Sequence, residues 1–173
     1  MTADSNATRD SAHLTPDGRP LKAGIDGVTV RQGHTLVTRN GHTTELFSAP
    51  WHLAANALQH VIHVSLKPSA ISAWHRHARQ TDHIAVIDGM LRLVLYDARE
   101  DSPTCGQLDE LLLSPLRATL VVIPPGIWHG LQNMLPHAFS GFINGFDQPY
   151  RHDDPDEWRL PHDSADIPYR FVG

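Results

Sequence analysis

The sequence Trp-His-Arg-His-Ala-Arg-Gln-Thr-Asp-His, residues 74–83, decides the fold of this chain. It lies just ahead of two runs that are typical of β-strands. Because side chains alternate between the two faces of an extended strand, His75 and His77 point to the same face. Two imidazoles on one face can bind a single metal ion. Either Asp82 or His83, one tight turn later, can supply a third ligand, and the spacing leaves both open.

A second stretch, Pro-Pro-Gly-Ile-Trp-His at residues 124–129, follows another strand-like run. After its Pro-Gly turn, His129 can close the same site from a neighbouring strand. Neutral imidazole and carboxylate together suit a first-row divalent ion such as Mn, Fe, Ni or Zn. The candidate metal ligands are therefore His75, His77, Asp82, His83 and His129. A histidine-rich surface loop without a metal is the alternative.

The spacing of these residues resembles the two signature motifs of the cupin superfamily. The matching positions are, in order, His75, His77, Asp82 and Gly89, then Pro124, Gly126, His129 and Asn133. Asp82 stands where the superfamily usually has Glu, so its role as the carboxylate ligand depends on a shorter side chain. The resemblance implies an all-β, single-domain cupin, an antiparallel β-barrel of the jelly-roll type with extended N-terminal and C-terminal arms.

Three further segments are similar to the dTDP-4-dehydrorhamnose 3,5-epimerases. Residues 97–106 resemble their Asp-x-Arg-x-x-Ser-Pro-Thr-x-Gly segment, and residues 123–130 resemble their Ile-Pro-x-Gly-x-x-His-Gly segment. Residues 147–169 are similar to their late Asp-x-x-Tyr and proline-rich acidic stretch. The resemblance extends in patches from about residue 25 to the end, and the Ser-Pro-Thr segment is its most specific part.

This second resemblance implies a mechanism. In the family a histidine of the first motif removes a proton next to the sugar ketone, a tyrosine acts as the acid, and a lysine holds the enolate oxygen. His75 matches the catalytic base, but Asp82 stands at the position of the lysine and Asn144 near that of the tyrosine. A bound divalent ion would supply the missing positive charge as a Lewis acid. His75 and His77 would then be ligands, and the base would be another group.

Several side chains around the motifs are candidates for substrate binding. Three arginines can bind a pyrophosphate in bidentate fashion, or are solvated residues of strands and turns. Two tryptophans beside the ligand histidines can stack on a sugar or base ring, or pack in the wall of the barrel. The candidate substrate-binding residues are Arg76, Arg79, Arg92, Trp74, Trp128 and Asn144.

The composition limits the class of protein. The chain has 173 residues, which suits one domain, and its 13 prolines and 12 glycines indicate many turns. The formal net charge of −5 and the lack of a basic run argue against nucleic acid or an anionic membrane as partners. The lone Cys105 excludes a disulfide within the chain and favours the cytoplasm. Neither a signal peptide nor a membrane span is predicted.

The chain divides into an arm and a domain. Residues 1–24 are polar and predict a flexible N-terminal arm. Residues 25–173 are expected to form the cupin barrel, whose irregular C-terminal segment, about 147–173, covers the barrel or a partner subunit. Asn40-Gly41 predicts a β-hairpin. The N-terminal arm and the C-terminal segment are each expected to pack on another surface. A second copy of the chain would supply it, which favours a homodimer.

Three functions compete. The favoured one is an isomerase or epimerase that acts on a nucleotide-activated keto-deoxy sugar by proton abstraction next to the ketone, with a bound divalent metal. The second is a non-haem iron dioxygenase that oxidises a small acid or aromatic compound. The third is a non-catalytic cupin that binds a sugar or a metal. The first explains the largest part of the chain.

Overall fold

The protein is a sandwich of two five-stranded β-sheets, seen in a computed structural model that describes residues 24–172. The predicted flexible arm, residues 1–24, lies outside the described residues except for Gly24. Within the described part of the chain, every strand pairing is antiparallel, and the only helical element is a short 3₁₀ turn. In the same part no helix is long and apolar enough to cross a membrane.

The elements follow one another along the chain with short connections. They are β1 (Thr29–Gln32), β2 (His34–Thr38), β3 (Gly41–Glu45), the 3₁₀ turn Ala49–Trp51, β4 (His60–Leu66), β5 (Ile71–Arg76), β6 (Asp82–Asp88), β7 (Leu91–Asp97), β8 (Leu108–Leu113), β9 (Thr119–Ile123), β10 (Ile127–Asn133), β11 (Ser140–Phe146) and β12 (Trp158–Arg159). The predicted hairpin at Asn40-Gly41 is confirmed, because β2 and β3 pair on either side of it.

The strand order is that of a jelly roll. Sheet I has the order β1-β9-β6-β11-β4, and sheet II has the order β12-β5-β10-β7-β8. From β4 to β7, successive strands alternate between the two sheets, and they do so again from β8 to β12. The predicted antiparallel, all-β jelly roll is confirmed. The predicted barrel is corrected to a sandwich, because the pairings of the described strands do not join the two sheets edge to edge.

Alternating apolar side chains form the core between the sheets. On β7, Leu91, Leu93 and Leu95 are fully buried on the inner face, and Ile84 and Val86 of β6 pack against them from sheet I. Burial of each such side chain stabilises the fold by roughly 1.5–3 kcal/mol. The period of two along both strands therefore fixes which face of each sheet points inward.

The C-terminal segment covers the outer face of sheet II. Trp74, Val94 and Ile167 are fully buried there, and Tyr169 and Phe171 pack against them. Val94 lies between the inward-facing Leu93 and Leu95 and so points outward, as strand alternation requires. Both faces of sheet II are consequently apolar at its centre.

The Ser-Pro-Thr loop is held by one buried carboxylate, that of Asp97. Its oxygens accept hydrogen bonds from the Arg99 side chain at 2.8 and 2.9 Å, from Ser102 Oγ at 2.5 Å and from Thr104 Oγ1 at 2.7 Å. Burial alone would raise the pKa of Asp97, but these donors hold it well below its usual range. Arg99 also donates to the Asp26 carbonyl, so the loop fixes the start of the described chain.

We expect Asp97→Ala to lower the free energy of unfolding by about 2 kcal/mol, since hydrogen bonds to a charged group contribute roughly 1.5–3 kcal/mol. The folded-state pKa of Asp97 is depressed, so its contribution is present at neutral pH and is lost as pH falls below the pKa of the unfolded carboxyl, about 4. Urea unfolding of wild type and variant at several pH values measures both effects. Asp101→Ala, an exposed change in the same loop, is the control and should alter stability by less than about 0.5 kcal/mol. An equal loss in both variants would contradict this role of Asp97.

Candidate active site

A cavity of about 580 Å³ opens between the two sheets at one end of the sandwich. Its walls come from β4, β6 and β11 of sheet I, from β5 and β10 of sheet II, and from the segment 148–159. The lining combines apolar side chains such as Val64 and Leu131 with histidines, carboxylates and arginines. A concave, partly apolar pocket with a few converging polar groups is the usual form of a small-molecule site.

The buried carboxylate of Asp82 lies at the centre of the polar groups, with only 1% of the residue exposed. Its Oδ2 atom is 3.4 Å from His77 Nε2 and 3.2 Å from His129 Nε2. Asn144 Nδ2 donates to the same oxygen at 3.3 Å, and Gln80 Nε2 donates to Oδ1 at 3.1 Å. Burial alone would raise the pKa of Asp82, but hydrogen bonds from His129 and His77 hold it far below its usual range. Asp82 is therefore ionised.

These residues meet because of strand alternation and register. Asp82 begins β6 and shares the inner face with the core residues of that strand. His129 lies on β10 directly opposite His75 of β5. His77 follows the end of β5, two residues beyond His75, and so points to the same side. The carboxylate of sheet I thus meets two imidazoles that sheet II supplies.

His77 has a hydrogen-bond acceptor at each ring nitrogen. Its Nδ1 atom is 2.5 Å from the Asp156 carbonyl oxygen, and its Nε2 atom faces the Asp82 carboxylate. Neither partner can donate, so each ring nitrogen faces an acceptor, an arrangement that favours the protonated form of the ring. Burial works against this charge, but the hydrogen bond and charge of Asp82, followed by Asp156, raise the pKa of His77 above its ordinary value.

The surroundings of His75 shift its pKa in the opposite direction from that of His77. Its Nδ1 atom is 3.2 Å from Glu157 Oε1, and its Nε2 atom is 3.1 Å from Ser72 Oγ. Burial, followed by the neighbouring His129 and Arg159, lowers the pKa of His75 to about 4, although Glu157 acts in the other direction. Because Glu157 can only accept, the neutral ring carries its proton on Nδ1 and presents a lone pair at Nε2.

Three of the five predicted metal ligands come together. One donor atom each from His77, Asp82 and His129 lies within 4.8 Å of the others, which is close enough for one ion. His75 is not in this group, although its ring stacks on that of His129 with centroids 5.8 Å apart. The structure therefore does not group the predicted ligand His75 with these three residues, because its ring nitrogens are not among the donor atoms that lie within 4.8 Å of one another.

The prediction that His83 is a rival to Asp82 is wrong. His83 is the next residue on β6 and therefore points to the outer face of sheet I. There its ring meets Phe47 edge-on at a centroid distance of 5.7 Å, and its Nδ1 atom lies 3.3 Å from the Gly145 carbonyl oxygen. The carboxylate that faces the cavity is that of Asp82.

Two of the six predicted substrate-binding residues line the cavity. Arg79 lies at its edge, where its guanidinium pairs with Asp154 at 3.1 Å. Asn144 lies deeper and links β11 to β6, since its amide donates to Asp82 and its Oδ1 accepts from the His83 backbone. Both remain candidates for substrate contact.

The other four predicted binding residues lie on the outer face of sheet II, and these predictions are corrected. Trp74 is fully buried under the C-terminal segment. The Arg76 guanidinium lies over the rings of Trp128 and Trp158, at 4.8 and 5.6 Å from their centroids. Arg92 pairs with a glutamate of β8 and with Gln132 of β10. Alternation along β5 explains the positions of Trp74 and Arg76, because residues beside an inward-facing His75 must face outward.

Sequence reasoning missed the contribution of the segment 148–159. Glu157 and Arg159 line the cavity beside His75, and Tyr150 and Arg151 line its mouth. A signal was present, because Glu157 and Arg159 are spaced by two residues, as charged side chains on one face of a strand would be. The two-residue length of β12 made that signal weak.

Fold and site together define a jelly-roll cupin whose cavity brings imidazoles and carboxylates together. The sequence profile of the dTDP-4-dehydrorhamnose 3,5-epimerase family matches residues 22–167. The chain belongs to this family. The predicted membership in the epimerase-like cupins is thereby confirmed.

Relatives agree with this assignment. The chain is 34% identical over 140 residues to the probable low-salt glycan biosynthesis epimerase Agl13 of Haloferax volcanii, covering 80% of this chain and 89% of Agl13. It is 32% identical over 150 residues to the spore coat polysaccharide biosynthesis protein SpsL of Bacillus subtilis, covering 85% and 96%. The crystal structure of a dTDP sugar isomerase from Desulfovibrio desulfuricans superposes with a TM-score of 0.76 at 27% identity, covering 84% of this chain and 90% of the isomerase. The prediction of an enzyme of the epimerase or isomerase type is confirmed at the level of the family.

Proposed function

We propose that the protein is an epimerase or isomerase that acts on a keto sugar attached to a nucleotide. The observation that carries the proposal is the pair formed by His75 and Glu157 in the cavity, in which a neutral imidazole presents its Nε2 lone pair. The family and the epimerase and isomerase names of the relatives support the same reaction class. Such a reaction needs three groups: a base, a positive group at the enolate oxygen, and an acid.

His75 is the proposed base. Its Nε2 atom removes the proton from the carbon next to the ketone, and the electrons of the broken C–H bond form the enolate with its charge on oxygen. Glu157 accepts the Nδ1–H bond throughout, which fixes the tautomer and stabilises the imidazolium once it has formed. A positioned base of this kind contributes about 10²–10⁴-fold to the rate.

His77 is the proposed positive group. The family resemblance places a lysine where this chain has Asp82, and the cation that lies beside Asp82 is the His77 imidazolium. The 3.4 Å separation between His77 Nε2 and Asp82 Oδ2 is longer than a normal N–H···O bond. The same N–H can therefore turn toward a substrate oxygen and stabilise the enolate charge.

Tyr150 is the proposed acid. It lines the cavity mouth and is half exposed, whereas Tyr96 and Tyr169 pack on the outer face of sheet II. Return of a proton from Tyr150 to the carbon, on the side opposite His75, gives the epimer. Asn144, near the tyrosine position of the family, holds Asp82 in place instead.

Three arginines around the cavity are the proposed diphosphate ligands. Arg79, Arg151 and Arg159 line it, and each pairs in the free protein with a carboxylate of the segment 153–157. A guanidinium fits phosphate oxygens in bidentate fashion. Substrate phosphates would replace these carboxylates as partners. The chain as a whole has a formal net charge of −5, so a local group of three arginines is a positive region on an otherwise negative protein.

A metal-assisted reaction is the second candidate, and the geometry of His77, Asp82 and His129 favours it. Nitrogen-to-oxygen separations of 3.2 and 3.4 Å fit two ligands of one ion held by bonds of about 2.0–2.2 Å. Such an ion, of the Mn, Fe, Ni or Zn type, would supply Lewis acidity at the ketone oxygen. His77 would then be a ligand, while His75 and Glu157 would keep their roles.

A homodimer in the cytoplasm completes the proposal. The hairpin β2–β3 is exposed along nearly its whole length, and its Leu36 and Val37 side chains are 67% and 80% exposed. A second copy would cover these apolar side chains. The lone, exposed Cys105 suits a reducing compartment. A solution mass of about 38 kDa by light scattering, twice the 19.2 kDa of one chain, is expected, and a mass of one chain would contradict the dimer.

We expect His75→Ala to lower the rate of solvent deuterium incorporation into dTDP-4-dehydrorhamnose by about 10²–10⁴-fold, because the base is lost. Tyr150→Phe should retain deuterium incorporation but lose formation of the epimer. NMR of the sugar protons measures both. His63→Ala, an exposed change on the outer face of sheet I, is the control. Full exchange in His75→Ala would refute the assignment of the base.

The pH profile follows from the two histidines. His75 must be neutral, so kcat/KM should fall only as pH drops through about 4, the lowered pKa of His75. His77 must be protonated, and its pKa is raised, so the alkaline limb should lie above the ordinary histidine value. In His77→Lys the alkaline limb should move to still higher pH, since lysine keeps its proton longer. An alkaline limb that stays in place in His77→Lys would show that another group causes it.

Metal analysis separates the two candidates. If side chains alone carry the reaction, dialysis against a chelator should leave the exchange rate unchanged, and elemental mass spectrometry should find well under one ion per chain. Stoichiometric metal that disappears in His129→Ala, together with loss of activity on chelation and recovery on adding the ion back, would favour the metal-assisted reaction instead.

A further inference from the structure

The strand that directly follows the carboxylate partner of His75 is very short. β12 consists of Trp158 and Arg159, and within residues 24–172 it pairs only with β5, where Trp158 lies opposite Arg76 and Arg159 opposite His75. One more pair of backbone hydrogen bonds, between Trp74 and residue 160, continues the contact at 2.8 and 3.1 Å. So few backbone bonds at the edge of a sheet leave the position of β12 dependent on side chains.

The two faces of β12 are chemically different. Glu157 and Arg159 face the cavity, and the ring of Trp158 faces outward. On that outer face the Arg76 guanidinium lies 5.6 Å from the Trp158 ring centroid and 4.8 Å from that of Trp128 on β10. The stack therefore ties β12 to β5 and β10 at once. A cation–π contact contributes about 0.5–1 kcal/mol at an exposed site.

Glu157 is held from both sides along the chain. On the N-terminal side, the Asp156 carboxylate accepts backbone hydrogen bonds from residues 78–80 at 2.7–2.9 Å. On the C-terminal side, the neighbour of Glu157 is Trp158, whose side chain is 54% exposed and is held by Arg76. The Glu157 carboxylate itself contacts only His75 and Arg159 in the described structure. On the C-terminal side, the stack outside the cavity is therefore the side-chain contact that helps to fix its position.

We propose that Arg76, Trp128 and Trp158 form a clamp on the outer face of sheet II that positions the Glu157 carboxylate on His75. None of the three lines the cavity, so they are positioning residues that act through Glu157. The proposal rests on the proposed function for its catalytic consequence. It also gives Arg76 and Trp128 a role other than substrate binding.

Kinetics test the clamp. Trp158→Ala should lower kcat for proton exchange by roughly twofold to fivefold, the change that corresponds to loss of an exposed cation–π contact, and leave KM unchanged. Trp158→Phe keeps a ring over Arg76 and should restore most of the rate. In a Glu157→Gln background, Trp158→Ala should have no further effect, because both changes act on one interaction. Additive effects, or a rise in KM alone, would overturn the proposal, the latter in favour of substrate stacking on Trp158.

A second measurement does not depend on activity. Long-range ¹H–¹⁵N NMR of the imidazoles should show His75 in the Nδ1–H tautomer in the wild type. Trp158→Ala and Arg76→Ala should weaken that signature, and Trp158→Phe should restore it. If the wild type exchanges no keto-sugar protons, the proposed function fails while this experiment still decides the clamp. An unchanged His75 signal in Trp158→Ala would overturn the clamp even if the enzyme is active.

The chain offers a matched control for both measurements. Arg31 lies over the ring of Trp51 at 4.2 Å from its centroid, on the outer face of sheet I and away from His75. Trp51→Ala removes a stack of the same kind and should leave kcat and the His75 tautomer as in the wild type. Equal changes in Trp51→Ala and Trp158→Ala would reduce the clamp to a general contribution to stability and overturn its positioning role.

Discussion

One buried carboxylate, that of Asp82, joins the two sheets at the cavity end of the sandwich. A charge removed from water is costly unless opposite charges and hydrogen bonds compensate it. Here the carboxylate belongs to sheet I, and His77 and His129 of sheet II supply the compensation at 3.4 and 3.2 Å. The requirement that these three groups meet fixes the separation of the sheets where the core gives way to the cavity. Asn144 and Gln80 complete the shell around the carboxylate and keep it from turning away.

The two histidines of the site have pKa values that are shifted in opposite directions. Burial lowers the pKa of His77, but the hydrogen bond and charge of Asp82 outweigh it and raise this pKa, whereas burial, followed by His129 and Arg159, lowers the pKa of His75. Two groups of one type whose pKa values are pushed apart can serve as a base and as a positive partner at neutral pH. The family resemblance assigns the positive charge to a lysine at position 82. In the proposed mechanism, the carboxylate at that position in this chain instead raises the pKa of a neighbouring histidine, which supplies the charge.

The alternation of side chains along a strand explains both the correct and the incorrect predictions from the sequence. The period of two placed His75 and His77 on one face, and the Asn40-Gly41 signal predicted the hairpin of β2 and β3. The same period puts Trp74 and Arg76 on the opposite face, although both were predicted to bind substrate. It also distinguishes Asp82, which shares a face with the core residues of β6, from His83. The contact of Glu157 with His75 could not be predicted, because it spans 82 positions and the strand beside Glu157 has only two residues.

The Ser-Pro-Thr loop is the segment most specific to the family. It lies apart from the residues that are proposed to carry the chemistry. The Ser-Pro-Thr loop is a structural element in which Asp97 gathers Arg99, Ser102 and Thr104, and none of these lines the cavity. A match in this loop therefore reports the fold and says little about the protons that are moved. The proposed reaction depends on positions where the resemblance to the family breaks down, Asp82 above all. Its mechanism has to be derived from its own carboxylates and imidazoles, and the proposed clamp on Glu157 extends that dependence to residues outside the cavity.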